Sequence, residues 1–151
     1  MRIELSPIGI VRNDIKEARK FEAENVVSDI DIFPEYLEAL DSIESFSHIM
    51  IIFWLHKIRE TERSIRKVHP RNNSTLPLSG VFATRSPVRP NPIGITTVKL
   101  LERKANILRV SGLDAIDGTP VLDIKPHLPE NVSGDELKLP AWVTKCQSNG
   151  T

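Results

Sequence analysis

A series of short apolar runs, each ended by turn residues, constrains the fold of this chain more than any other feature. The most apolar run, residues 49–55, is much shorter than the roughly 20 residues that a membrane-spanning helix needs. Further strand patterns occur in residues 3–11, 30–32, 80–84, 96–101, 107–113 and 121–124. Short strands at this spacing are typical of an all-β barrel or sandwich. The chain is therefore expected to be mainly β.

Three local patterns refine this expectation. Residues 47–56 are β-branched and aromatic without alternation, which predicts a central strand covered on both faces. Pro7 argues against a central position for the first strand. Pro34 can occupy the first turn of a helix, and the apolar residues after it fall on one face, so residues 34–42 are predicted to form a short helix.

Composition limits the class of protein. With 151 residues, one domain is expected, here residues 1–145 with a polar tail at 146–151. The 20 basic and 20 acidic residues cancel, so polyanion binding has to be local, and residues 57–71 form the one basic stretch that could contact RNA or simply face solvent. Cys146 is alone, and no CxxC pair or histidine cluster suggests zinc. This composition, without a secretory signal at Met1, predicts a cytoplasmic protein with no membrane attachment.

The first chemistry-bearing stretch is residues 84–94, where three prolines alternate with polar residues. Each proline fixes its own φ and drives the preceding residue toward extended backbone, so the loop is stiff without regular hydrogen bonds. Arg85 and Arg89 are thus held on a rigid frame, and a preorganised guanidinium suits bidentate contact with a carboxylate or phosphate. The stretch is interpreted as an anion-binding loop.

The second stretch is residues 113–126. Asp117-Gly118 signals a turn, and the alternation of the next strand places Asp123 and Lys125 on one face. Charges inside a strand are paired or functional, and the aspartates can accept hydrogen bonds from amines and hydroxyls. Together the two stretches suit a polar, zwitterionic small molecule. The residues alone leave open whether it is a methyl donor, an amino acid, a nucleotide or a sugar phosphate.

At these residues the chain resembles the TrmO (TsaA-like) family of tRNA methyltransferases, which use S-adenosylmethionine. The resemblance is carried by four blocks in the expected order, residues 6–12, 46–56, 80–94 and 117–126. It implies a single-sheeted β-barrel with one or two short helices, assembled as a homodimer. It also implies methylation of N6 of threonylcarbamoyladenosine beside the tRNA anticodon. The cofactor contacts that it implies are Phe53, His56, Lys57, Arg85, Ile93, Ile95, Asp117, Gly118, Thr119 and Pro120.

The chain departs from the family pattern in three places. Some bacterial relatives hold the cofactor with an N-terminal Pro-Arg-Gln segment, where this chain has Glu17-Ala-Arg-Lys-Phe21. Bacterial relatives also extend into a further C-terminal domain, and His127 stands where tyrosine is common.

Methyl transfer to nitrogen needs alignment and the removal of a proton. Among Asp117, Asp123 and His56, an aspartate is the predicted proton acceptor, while Arg85 or Arg89 would hold a cofactor carboxylate, the threonyl carboxylate or an RNA phosphate. Two alternatives stay open: a methyltransferase for another RNA or small acceptor, and a non-catalytic sensor that binds S-adenosylmethionine or a nucleotide.

Overall fold

The structure is a computed structural model that describes residues 1–18, 22–130 and 136–143. It divides into two compact units. The first comprises Met1–Arg66 and Pro87–His127, and the second comprises Lys67–Ser86 and the chain from Leu128. In the described part of the chain, no helix combines the length and apolar character needed to cross a membrane.

Eight strands are described, and six of them form a closed antiparallel barrel in the first unit. Their bounds are β1 Gly9–Arg12, β2 Val27–Ile32, β3 His48–Trp54, β4 Lys67–Val68, β5 Ser79–Gly80, β6 Ile93–Lys104, β7 Ile107–Ser111 and β8 Pro120–Pro126. Around the barrel the order is β1-β2-β7-β6-β3-β8. The predicted mainly β fold, with a single-sheeted barrel, is therefore confirmed.

The barrel interior is an aliphatic core. Along β3, Ile49, Ile51 and Phe53 are buried in this core, whereas the residues between them are only partly buried. The prediction that this strand is covered on both faces is wrong. In a single closed sheet one face of each strand points to the interior and the other points outward, so an apolar run without alternation still has one half-exposed face.

The first strand is shorter than its apolar pattern. It begins at Gly9, pairs with both β2 and β8, and extends to Arg12. Pro7 lies before the strand, so it does not disturb the pairing. A strand with two neighbours is not an edge strand, and the expectation drawn from Pro7 is therefore wrong.

The described helices are short. The predicted helix at residues 34–42 is a 3₁₀ helix, Pro34–Leu40, with proline in its first turn and Leu40 buried. It stops two residues early because Asp41, with ψ 133°, is not helical and Ser42 adopts the left-handed conformation, φ 69°. Further 3₁₀ turns are Ala23–Asn25, Ile43–Ser45, Glu60–Ser64, Pro70–Asn72 and Val81–Ala83.

In the second unit, β4 and β5 form a two-stranded ribbon. The predicted strand at residues 80–84 is wrong beyond Gly80, because Val81–Ala83 is a 3₁₀ turn. The Thr84 amide and hydroxyl both donate to the Val81 carbonyl, at 3.1 and 2.9 Å. This side-chain contact closes the turn where β propensity alone predicts extension.

Candidate functional site

One end of the barrel gathers most of the predicted site residues. There β3 ends, β6 begins and β8 begins, with Trp54 opposite Ile93 and Phe53 opposite Val121. The segment after β3, the proline-rich loop before β6 and the turn before β8 therefore emerge together. This region is called the Trp54 end below.

Phe53 closes the barrel interior at this end. Its side chain is only 3% exposed, and it lies opposite Gly94 on the neighbouring strand. A Cβ at Gly94 would lie 2.5 Å from the Phe53 ring, so the ring occupies the space that any other side chain would need. Phe53 is therefore a core residue, and the cofactor contact implied at this position stays a prediction.

The turn before β8 is fixed by main-chain hydrogen bonds. Gly118 has φ 78°, a conformation that favours glycine. The amide N–H groups donate to carbonyl oxygens within the unit: Asp117 to Ile15 at 2.7 Å, Gly118 to Val11 at 2.8 Å and Thr119 to Ile116 at 3.2 Å. The buried Thr119 hydroxyl donates to Ile116 as well, at 2.7 Å. The Val11 amide donates in turn to the Thr119 carbonyl at 2.9 Å, so the turn is bound to β1 in both directions.

Asp117 holds this turn to the segment after β1. Its carboxylate accepts the Asn13 amide at 3.1 Å and the Lys16 ammonium at 2.6 Å. These bonds, that of Lys16 foremost, lower the pKa of Asp117 below its ordinary value. The Asn13 side-chain amide also donates to the Ala115 carbonyl at 2.9 Å. An aspartate bound in this way is a poor proton acceptor, and its role here is to hold the turn against the segment after β1.

Asp123 lies three residues beyond Pro120, about 10 Å along the strand. Its pairing position is opposite Ile52, on the outer face. Its oxygens bind the Ile124 amide and the Lys125 ammonium, each at 2.9 Å. The predicted common face of Asp123 and Lys125 is confirmed.

The two aspartates line different cavities. Asp123 borders a largely apolar cavity of about 230 Å³ together with Tyr36 and Phe46. Asp117 borders a polar cavity of about 410 Å³ together with Arg12 and Arg109. The structure therefore does not bring the two predicted catalytic aspartates into one site.

His56 follows β3 at the Trp54 end and is half-buried. Burial, and secondarily the neighbouring Lys57, lowers the pKa of His56 below its ordinary value. Its imidazole is therefore neutral near pH 7 and has a lone pair able to accept a proton. The neighbouring Lys57 is exposed.

The predicted arginines belong to different units. Arg89 is half-buried in the loop that enters β6 in the first unit, and the Leu55 amide donates to Pro92 of that loop at 2.7 Å. Arg85 belongs to the second unit and is exposed. Of the segment that replaces Pro-Arg-Gln, residues 19–21 lie outside the described residues, as does the tail at 146–151.

Ile93 and Ile95 are on the outer face of β6, 39% and 50% exposed. They lie opposite Trp54 and Ile52 of β3, which are half-buried. Four apolar side chains thus form two adjacent cross-strand pairs outside the barrel. This group is called the outer apolar face below.

Sequence reasoning missed Asn13, Lys16 and Arg63. Asn13 directly follows the motif at residues 6–12, but its partners in the segment before β8 are 102 and 104 positions away in sequence. The sequence indicated Arg63 only as one of several basic residues in the stretch at 57–71. Its side chain in fact contacts the loop before β6. The contacts of these three residues depend on barrel closure and have no local pattern.

Comparison with known proteins identifies the family. The family model described as tRNA-methyltransferase O N-terminal domain matches residues 17–132. The chain belongs to this TrmO family. A probable S-adenosyl-L-methionine-binding protein of Methanothermobacter thermautotrophicus is 47% identical over 84% of the chain and 91% of its own length. A tRNA (adenine(37)-N6)-methyltransferase of Mus musculus is 41% identical over 80% of the chain and 28% of its own length.

Solved TrmO structures share the fold. A crystal structure of TrmO from Pseudomonas aeruginosa matches with a TM-score of 0.72 and 31% identity over 94% of this chain. The chain spans 62% of that solved chain, which is therefore considerably longer.

Proposed function

We propose that this TrmO-family chain binds S-adenosylmethionine at the Trp54 end and transfers its methyl group to N6 of threonylcarbamoyladenosine next to the tRNA anticodon. The observation that carries the proposal is the convergence of three family segments at one barrel end: the end of β3, the arginine-bearing loop before β6 and the turn before β8. Relatives named S-adenosyl-L-methionine-binding proteins support the cofactor. The murine relative named a tRNA methyltransferase supports the acceptor.

The residues at this end fit the cofactor's chemistry. Ile93 offers apolar surface to an adenine ring or thioether chain, and the Asp117–Pro120 turn offers main-chain carbonyl groups to amines and hydroxyls. Arg89 offers a guanidinium to a carboxylate or phosphate. S-adenosylmethionine supplies an electrophilic methyl group on a sulfonium. The chain's part is to align the acceptor nitrogen with that carbon and to remove its proton.

We further propose His56 as the proton acceptor. The new N–C bond forms as the C–S bond breaks, leaving the neutral thioether, and the nitrogen releases one proton. Asp117 and Asp123 are each engaged with a lysine, whereas His56 is half-buried with a lowered pKa. The neutral imidazole is thus favoured over the aspartates that the sequence suggested.

His56→Gln tests this assignment. We expect kcat to fall about 100-fold, since general-base catalysis contributes on that order. Wild-type activity should rise with pH through a pKa below the ordinary histidine value, and that acidic limb should vanish in the variant. Asp123→Asn is the control, expected to keep the limb. A limb that persists in His56→Gln contradicts the assignment.

We also propose a homodimer that buries the outer apolar face. Its pairs, Ile52 with Ile95 and Trp54 with Ile93, give a continuous apolar surface on adjacent strands. Sedimentation of wild type and Ile95→Glu tests this. A wild-type dimer that dissociates in the variant supports it, whereas a wild-type monomer, or a dimer that the variant leaves intact, contradicts it.

Incubation with methyl-labelled cofactor and two tRNA preparations tests the reaction. We expect label only on threonylcarbamoylated tRNA and none on unmodified tRNA. Label on both indicates another acceptor. Cofactor binding without transfer to either contradicts the enzymatic proposal and favours a binding protein, the description that several relatives carry.

A further inference from the structure

We propose that Arg63 is a positioning residue that fixes the loop at residues 87–92 and thereby preorganises the cofactor side of the Trp54 end. This inference rests on the proposed function, because that loop carries Arg89 and leads into Ile93. The sequence groups Arg63 with the basic stretch at 57–71, where an arginine is expected to face solvent or RNA. Its contacts in the structure are of another kind.

Arg63 joins three elements of the first unit. Its Nε donates to the Pro90 carbonyl at 2.6 Å, and its Nη2 reaches the Asn91 side-chain oxygen at 3.5 Å. The guanidinium carbon lies 5.5 Å from the centre of the Trp54 ring, within the range of a cation–π contact. One half-buried side chain thus connects the 3₁₀ turn Glu60–Ser64, the end of β3 and the loop before β6.

The loop needs such external donors because of its prolines. Pro87, Pro90 and Pro92 have no amide hydrogen, so these three residues cannot donate main-chain hydrogen bonds. The Pro90 carbonyl accepts from Arg63, and the Pro92 carbonyl accepts from the Leu55 amide at 2.7 Å. The stiff backbone determines the loop's internal shape, and these two donors contribute to holding that shape against β3. Arg89 lies directly before the carbonyl that Arg63 binds.

Arg63 is itself held in place. The main-chain amide of Arg59, the residue before the 3₁₀ turn Glu60–Ser64, donates to the Glu62 carboxylate at 2.9 Å. At the other end, the Arg66 Nη1 donates to the Arg63 carbonyl at 2.9 Å. A residue fixed at both its main chain and its guanidinium loses little further entropy when a ligand binds nearby. The contacts with Pro90, Asn91 and Trp54 also engage the Arg63 guanidinium, which a phosphate would otherwise bind.

Arg63→Lys and Arg59→Lys form a matched pair. Both replace an arginine of the same 3₁₀ turn and keep its charge, so both preserve general attraction to tRNA. Lysine cannot make the two-nitrogen contact of Arg63 with Pro90 and Asn91. We expect Arg63→Lys to raise the Kd for S-adenosylmethionine about tenfold through lost preorganisation. Arg59→Lys should stay within about twofold, as for an ordinary surface substitution.

Amide hydrogen exchange gives a readout independent of the cofactor. Exchange at Val88, Arg89 and Asn91 should accelerate in Arg63→Lys and not in Arg59→Lys, while β7 amides stay protected in both and report an intact barrel. Equal loop exchange in the two variants overturns the inference even if cofactor binds. Faster loop exchange with an unchanged Kd also overturns it, because the loop would then not position the site. Failure of the wild type to bind cofactor contradicts the proposed function itself and, with it, the cofactor role of Arg63.

Discussion

At the scale of single residues, the contact between Gly94 and Phe53 gives the sharpest steric prediction. Gly94→Ala places a methyl group where the ring lies, 2.5 Å from its nearest carbon. We expect the free energy of unfolding to fall by about 1–3 kcal/mol, the usual cost of overpacking a core. Urea unfolding measures this loss.

Phe53→Leu provides the control in a double-mutant cycle. A smaller side chain leaves room for the added methyl group, so the double variant should lose less stability than the sum of the two single variants. Additive losses would show that the ring does not oppose the methyl group.

Asp117 gives a prediction about pH. Its folded-state pKa is lowered, so its bonds to Lys16 and Asn13 stabilise the fold above the pKa of an unfolded aspartate, and this stabilisation is lost as pH falls through the folded value. Asp117→Asn should therefore be less stable than wild type near pH 7, and the difference should shrink below about pH 3.9. Urea unfolding between pH 7 and pH 3 measures it. Asp114→Asn controls for net charge, and a difference that does not vary with pH contradicts the account.

Some features of the site could be predicted from local sequence patterns, whereas others depend on contacts between distant residues. Gly118 at a turn and the shared face of Asp123 and Lys125 follow from turn chemistry and strand alternation. Of the lysine partners of Asp117 and Asp123, only that of Asp123 could be inferred from the sequence. Lys125 is two residues from its partner, whereas Lys16 is 101 residues from Asp117. A proton-acceptor role for Asp117 therefore could not be judged from the sequence.

At the scale of secondary-structure elements, a row of charges crosses three barrel strands. Arg12 of β1 lies opposite Asp29 of β2, which lies opposite Arg109 of β7. Asp29 accepts two bonds from the Arg109 guanidinium, at 2.9 and 3.1 Å, and this contact chiefly lowers the pKa of Asp29. Such a pair favours the observed register, because a one-residue slip would separate the charges.

Double-mutant cycles with Asp29→Asn and Arg109→Gln measure this coupling. Because both side chains are partly exposed, we expect a small but measurable coupling that decreases as salt is added. The highly exposed Arg2–Glu4 pair, at 3.6 Å, is the control and should show no measurable coupling. Equal coupling in the two pairs would contradict a role for the charge row in strand register.

Strand positions were easier to predict than strand environments. The β-branched run around residues 49–55 located β3 closely, because β-branched and aromatic side chains fit a pleated, half-buried surface. Its partly exposed outer face was missed, since an apolar side chain is found on either face. The strand predicted at residues 80–84 failed beyond Gly80, where the Thr84 hydroxyl stabilises a turn instead.

At the scale of the whole molecule, barrel closure places distant segments together. β3 lies between β6 and β8, so the end of β3 meets the starts of two strands that follow it by about 40 and 65 residues in the chain. The sequence located both chemistry-bearing stretches but could not supply this non-sequential order. The family resemblance, and not local pattern, joined them into one expected pocket.

Calorimetric titration with S-adenosylmethionine tests the central claim most directly. We expect saturable binding of one cofactor per chain. Arg89→Gln should weaken it about tenfold, because the Arg89 guanidinium is proposed to hold a cofactor anion. Lys125→Gln, on the outer face of β8 and paired with Asp123, should leave the affinity unchanged. Absence of binding by the wild-type chain, or equal weakening by the two variants, would contradict a cofactor site at the Trp54 end.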